Sequence, residues 1–139
     1  MPMSFSDPTL GWATFAAVKL AGYTFVAHRM KREFPTPALP SPVLGAIRTA
    51  MGAGFGIAYG TLVGLTERAL GSLSVVLFLG GLIPVRLLEW HLLIRWCFDR
   101  QRAFPALTQR WRVLGTLASF ALDVPAMLGL VRMGGVWLC

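Results

Sequence analysis

The chain has 139 residues, of which 55% are hydrophobic and only 14% charged, with a mean hydropathy of +0.63. Soluble domains carry about 25% charged residues, so the composition points to lipid rather than water as the main solvent. The formal net charge of +7 would suit nucleic acid in a soluble chain, but long apolar runs exclude that reading, and at about 20 residues per membrane-crossing helix the length leaves no room for a separate soluble catalytic domain.

Apolar segments cover about residues 10–28, 43–65, 70–94 and 113–131, each long enough or nearly so to cross about 30 Å of hydrocarbon. The expected fold is all-α: a single polytopic transmembrane domain over residues 1–139, with four antiparallel helices. Arg29, Lys31 and Arg32 follow the first segment, and Arg95, Arg100, Arg102, Arg110 and Arg112 follow the third; only Arg68 and Arg132 stand opposite them. Short loops rich in Lys and Arg stay in the cytoplasm. This places the first and third connections inside and both termini outside, in a bacterial cytoplasmic membrane. Met1–Leu10 has no Lys or Arg and the residues after Ala27 are basic, so no cleaved leader is expected.

In chain order, the first segment carries Lys19 about ten residues in, on one face with Gly22 and Tyr23, and closes on His28. The run Pro35–Pro42 reads as an extended spacer; its Pro37 and Pro40 match a PxxP pattern, which is common by chance. The second segment holds Arg48 and then Gly52, Gly56, Gly60 and Gly64. A four-residue step drifts only about 40° round a helix, so these glycines form a shallow groove for close helix contact, with this chain or a second copy. Thr66–Ala69 reads as a short connection between antiparallel neighbours.

The third segment should bend at Gly80, Gly81 and Pro84, and it then presents Arg86 and Glu89 on one face. A basic amphipathic stretch from Phe98 to Arg112, with Phe104, Leu107 and Trp111, suits an anionic inner leaflet. The fourth segment places Thr116, Ser119 and Asp123 on one face, with Pro125 beside them. Trp12, Trp90, Trp96, Trp111 and Trp137 fall near segment ends, as expected of interfacial belts. Cys97 and Cys139 belong to opposite ends of the spans, so no bridge is expected between them.

An ionisable residue at a span centre costs about 2.5–3.5 kcal/mol on insertion scales, so it must face protein, water or a partner. Lys19 and Asp123 have similar depths near the midplane and are expected to pair. Arg48, Arg86 and Glu89 extend this polar region toward the inner side. Lys19, Arg48 and Arg86 outnumber Glu89 and Asp123, and the spare positive charge could hold an anion, a lipid headgroup or a partner's carboxylate. Buried ion pairs also serve simply to fix helix register.

No enzyme motif such as G-x-S-x-G, H-E-x-x-H or a P-loop is present. No cofactor is expected; His28 and His91 lie at similar depths and are weak candidates for paired haem ligands. The sequence favours a small binding or accessory subunit that works among membrane lipids, as a homo-oligomer or with a partner membrane protein. The alternative is an oligomeric transporter of a small anionic solute, with a haem-binding redox subunit a distant third. An open channel is disfavoured, because Phe55–Leu65 and Leu70–Gly80 contain no charge.

Overall fold

The computed structural model describes residues 8–35, 39–70 and 73–132. They form four α-helices: α1 (Pro8–Met30), α2 (Ser41–Leu70), α3 (Leu73–Cys97) and α4 (Pro105–Arg132), with no strand among the described residues. At 1.5 Å per residue the helices run from roughly 34 to 45 Å. Each packs on two neighbours in a ring: α1 lies against α2 and α4, and α3 against α2 and α4, while the diagonal pairs approach only through side chains, as Tyr23 does with Trp90 and Arg48 with Ser119. Successive helices run antiparallel, as short connections between packed neighbours require.

Local chemistry sets the helix starts. The Pro40 carbonyl accepts the Leu44 N–H at 3.1 Å, and Pro42 sits in the first turn of α2, where no backbone donor is needed. At α4 the Phe104 carbonyl accepts the Thr108 N–H at 2.9 Å, and Pro105 opens the helix. The Asp99 carboxylate organises the preceding turn, accepting the Ala103 N–H at 2.8 Å, the Phe104 N–H at 3.3 Å and the Thr108 hydroxyl at 2.9 Å. Within that turn Arg102 adopts a left-handed conformation, with φ of 57°.

The helix bounds refine two sequence expectations. α4 begins at Pro105, ahead of the apolar run at 113–131, so Arg110, Trp111 and Arg112 of the basic stretch belong to α4 itself. Thr66–Ala69 is helical, the last part of α2, rather than a connection. Pro37, Trp137, Cys139 and residues 1–7 lie outside the described residues.

The packed core gathers at the basic end, where the 31–40 and 98–104 connections lie. Tyr23, Ala27, Met30, Phe34, Leu44, Trp90, Leu93, Ile94, Phe98 and Trp111 are buried there. The Phe34 ring lies 5.3 Å from Phe98 and 6.5 Å from Phe104 between centroids. Trp90 and Trp111 are thus core residues, not belt anchors: both side chains are buried, and each indole N–H is satisfied within the protein, Trp111 Nε1 donating to Glu33 Oε2 at 3.0 Å and Trp90 Nε1 to the buried Ser119 Oγ at 2.9 Å. Trp12 and Trp96 are exposed.

The surface is the reverse of a water-soluble bundle. Phe25, Ile57, Leu62, Leu65, Val76 and Val124 are each at least 60% exposed, whereas Arg48, Glu89 and Lys19 are buried. Among the described residues, one helix is long and apolar enough to cross a membrane by length and composition, over Thr9–Met30, and 28% of its most apolar stretch is buried by the rest of the chain. In α2 the apolar residues alternate with Gly52, Gly54, Gly56, Gly60 and Gly64, which have no side chain to raise its hydropathy.

Candidate functional site

The five ionisable residues singled out within the apolar segments form one continuous network drawn from all four helices. Lys19 of α1 pairs through Nζ with Asp123 Oδ1 of α4. The other carboxylate oxygen of Asp123 faces Arg86 Nη2 of α3 at 3.7 Å. Arg86 Nη1 donates to Glu89 Oε2, one turn further along α3, at 3.2 Å. That same oxygen takes Arg48 Nη2 of α2 at 2.5 Å. Glu89 is therefore shared between two guanidinium groups, and Asp123 between an ammonium and a guanidinium. Three positive charges meet two negative ones.

Ser119 is the neutral centre of this assembly. Its hydroxyl accepts from Arg48 Nη2 at 3.2 Å and from Trp90 Nε1 at 2.9 Å, and donates to the Gly115 carbonyl at 3.0 Å; the Tyr23 hydroxyl lies 3.4 Å away. The Arg48 guanidinium sits 4.8 Å from the Tyr23 ring and 5.0 Å from the Trp90 ring, so two aromatic faces share with Glu89 the stabilisation of its charge. Trp90 fits because residue 115 is glycine: a Cβ there would overlap the indole. The places of Ser119 and Trp90 at this centre are not obvious from sequence. The available signal was that Trp90 follows Glu89 and lies four residues after Arg86, on the charged face of α3.

Gly52 of α2 lies beneath the two arginines. A Cβ at this position would stand 3.1 Å from Arg48 Nη1 and 3.4 Å from Arg86 Nη1. Beyond it the expected glycine groove has no neighbour among the described residues: a Cβ at Gly56, Gly60 or Gly64 would meet nothing within 4 Å. Contact between α2 and α3 in this region instead runs through Tyr59, whose ring occupies the space a Cβ at Gly81 would take.

Beside the network is a cavity of about 350 Å³. Trp12, Phe15 and Ala16 of α1 and Ala53 of α2 give it apolar walls, while Lys19, Tyr23, Thr49, Gly52 and Arg86 line its polar part. Its charged lining is wholly cationic, although the adjoining network contains two carboxylates. Lys19 Nζ also lies 5.4 Å from the Phe15 ring and 5.7 Å from the Tyr23 ring. Arg48 Nε, Arg48 Nη1 and Arg86 Nε are buried with no hydrogen-bond partner among the described residues. A buried donor left unmatched costs about 1–3 kcal/mol, so these groups create a demand for acceptor atoms beside the cavity.

The histidines are not brought together. His28 is exposed on α1, with Nε2 3.3 Å from Arg32 Nη2, and His91 lines a separate cavity against α4. The two residues stand on helices that are diagonal in the ring. No cluster of three or more metal-ligating side chains occurs among the described residues.

No family model matches the chain, and comparison with curated proteins and with solved structures likewise returned no match.

Proposed function

We propose that this is a four-span protein of the bacterial cytoplasmic membrane that binds an amphipathic anion, a carboxylate or phosphate group carried on an apolar chain. The membrane reading is supported by large apolar residues facing outward on all four helices while charges are buried inside, an arrangement costly in water and natural in lipid. The distribution of Lys and Arg puts the basic end in the cytoplasm.

The observation that carries the ligand reading is the cavity itself: its charged lining consists of Lys19 and Arg86, set in a network with one positive charge more than its carboxylates supply. The anionic group would lie against Lys19 and Arg86, with the unmatched donors of Arg48 behind them. The apolar chain would run along Phe15 and Trp12. This is a binding or accessory role rather than catalysis, and the apolar wall beyond Lys19 supplies no polar path for transport. The uncovered Gly56, Gly60 and Gly64 favour a second feature, assembly with a helix from another copy or from a partner membrane protein.

Native mass spectrometry after extraction in a mild detergent tests the ligand reading. The expected spectrum shows one anionic amphiphile per chain. Ala53→Phe fills the cavity from an exposed wall position and should release that mass without lowering thermal stability. The double exchange Lys19→Asp with Asp123→Lys restores the ion pair but places a carboxylate in the cavity wall; it should fold and emerge bare. A bare wild-type chain, or an exchanged chain carrying the same mass, would leave the network as a register device only.

A further inference from the structure

A second cavity, of about 330 Å³, lies between the basic ends of α3 and α4 and shares no lining residue with the first. We infer that it is a binding site for a phosphate monoester, the dianionic group being held by Arg95, Arg102 and Arg112 with His91 and Gln109 at its sides.

The cavity has three guanidinium groups and one carboxylate in its walls. That carboxylate, Asp99, is already engaged: both oxygens accept hydrogen bonds from the turn and from Thr108. None of the three arginines is in an ion pair among the described residues. Arg95 is held in place by Nη1, which donates to the carbonyls of Asp99 at 3.2 Å and Arg100 at 3.3 Å. Its charge is positioned but not neutralised.

Two further atoms point to what is missing. Arg112 Nε and His91 Nδ1 are both buried with no hydrogen-bond partner among the described residues, and both residues line this cavity. A guanidinium Nε–H can only donate, and imidazole donates from Nδ1 in one of its neutral tautomers. The complementary ligand therefore offers several acceptor oxygens and two negative charges. A phosphate monoester does so, and planar guanidinium forks match its oxygens in pairs. A carboxylate brings only one charge and two oxygens. The same group is found on a soluble phosphomonoester and on a monoester lipid headgroup. The lipid source rests on the four-span reading, which puts this cavity at headgroup depth on the cytoplasmic side.

The test uses the full chain in neutral detergent micelles, titrated with inorganic phosphate and followed by calorimetry. Saturable binding of one phosphate per chain is expected. Arg102 is exposed and has a left-handed backbone, so Arg102→Gly removes a charge while suiting that backbone better; a loss of binding in a protein that remains folded cannot be ascribed to the turn. Affinity should fall about tenfold, as expected for one charge-assisted hydrogen bond. Arg112→Gln should weaken binding similarly, whereas Arg100→Ala, outside the cavity, should not.

Micelles doped with phosphatidic acid or with phosphatidylglycerol separate the two sources. Competition with inorganic phosphate by phosphatidic acid alone assigns the site to a lipid headgroup, and inorganic phosphate binding without such competition assigns it to a soluble monoester. Three results would overturn the proposal: no saturable phosphate binding, wild-type affinity in both Arg102→Gly and Arg112→Gln, or an equal loss in Arg100→Ala.

Discussion

At the basic end the four helices meet through side chains that interlock. Trp90 lies on Gly115, Leu122 fills the space at Gly22 and Thr24 the space at Gly45, and Phe34 closes against Phe98. Toward the other end the same helices present a different inner chemistry. Gly54, Gly56, Gly60, Gly64 and Gly80 face open space, and Ile57, Leu62 and Leu65 point outward. Both ends are apolar in composition, so apolar content does not distinguish them. In lipid, helices gain no hydrophobic drive to associate and depend on close packing and hydrogen bonds. The basic end has both, through its small-residue notches and its charge network. The glycine end has small residues without a facing surface, and so is left available to lipid or to another helix.

The largest effect should come from cutting the network. Glu89→Ala leaves Arg48 and Arg86 facing each other without their shared carboxylate, and breaking a buried pair typically costs about 3–5 kcal/mol. Leu62→Ala, at an exposed position of the glycine end, should change stability by less than about 0.5 kcal/mol. Denaturant unfolding in mild detergent measures both, and equal losses would erase the distinction between the two ends.

A sharper comparison adds one methyl group at each end. Gly115→Ala drives a Cβ into the Trp90 indole and should cost about 1–3 kcal/mol as overpacking. Gly60→Ala enters open space and should stabilise the monomer by about 0.5–1 kcal/mol through helix propensity. If a second chain covers the groove, Gly60→Leu should lower self-association in crosslinking while monomer stability holds. Unchanged crosslinking would remove the glycine face as a self-contact.

The smallest effect concerns Cys97, the last residue of α3, where burial pushes the thiol up from its ordinary range. A raised pKa means less thiolate near neutral pH. In a Cys139→Ser background, alkylation by an impermeant maleimide should therefore be slower than that of a free small thiol and should accelerate as pH rises. It should occur only from the cytoplasmic side. Labelling from outside would reverse the orientation assigned to the basic end.

Much of this arrangement was legible because charge in an apolar run is a strong physical constraint. Lys19 and Asp123 can be matched by counting residues from opposite ends of their segments, and Arg86 with Glu89 by helical spacing. The start of α4 was not legible from hydropathy, which marks only the apolar run at 113–131, when Pro105 and the Asp99 carboxylate govern it. Trp90 and Trp111 differ from the expectation because position near a segment end resembles an interfacial belt, and no one-dimensional pattern reveals that the Trp90 indole N–H meets Ser119 and the Trp111 indole N–H meets Glu33.

The sequence by itself determined that the chain is helical, where its four apolar segments fall, which charges interrupt them and how far along each helix they lie, since that distance follows from residue count and a rise of 1.5 Å per residue. Tertiary structure alone decided that Glu89 serves two arginines, that Ser119 joins Arg48 to Trp90, that Gly52 lies beneath both guanidinium groups, and that Gly56, Gly60 and Gly64 meet no neighbour among the described residues. The physical reason is that these outcomes depend on which way each helix is turned and on which helices are neighbours. Rotation and ring order come from packing among all four helices together and are not encoded in any one of them.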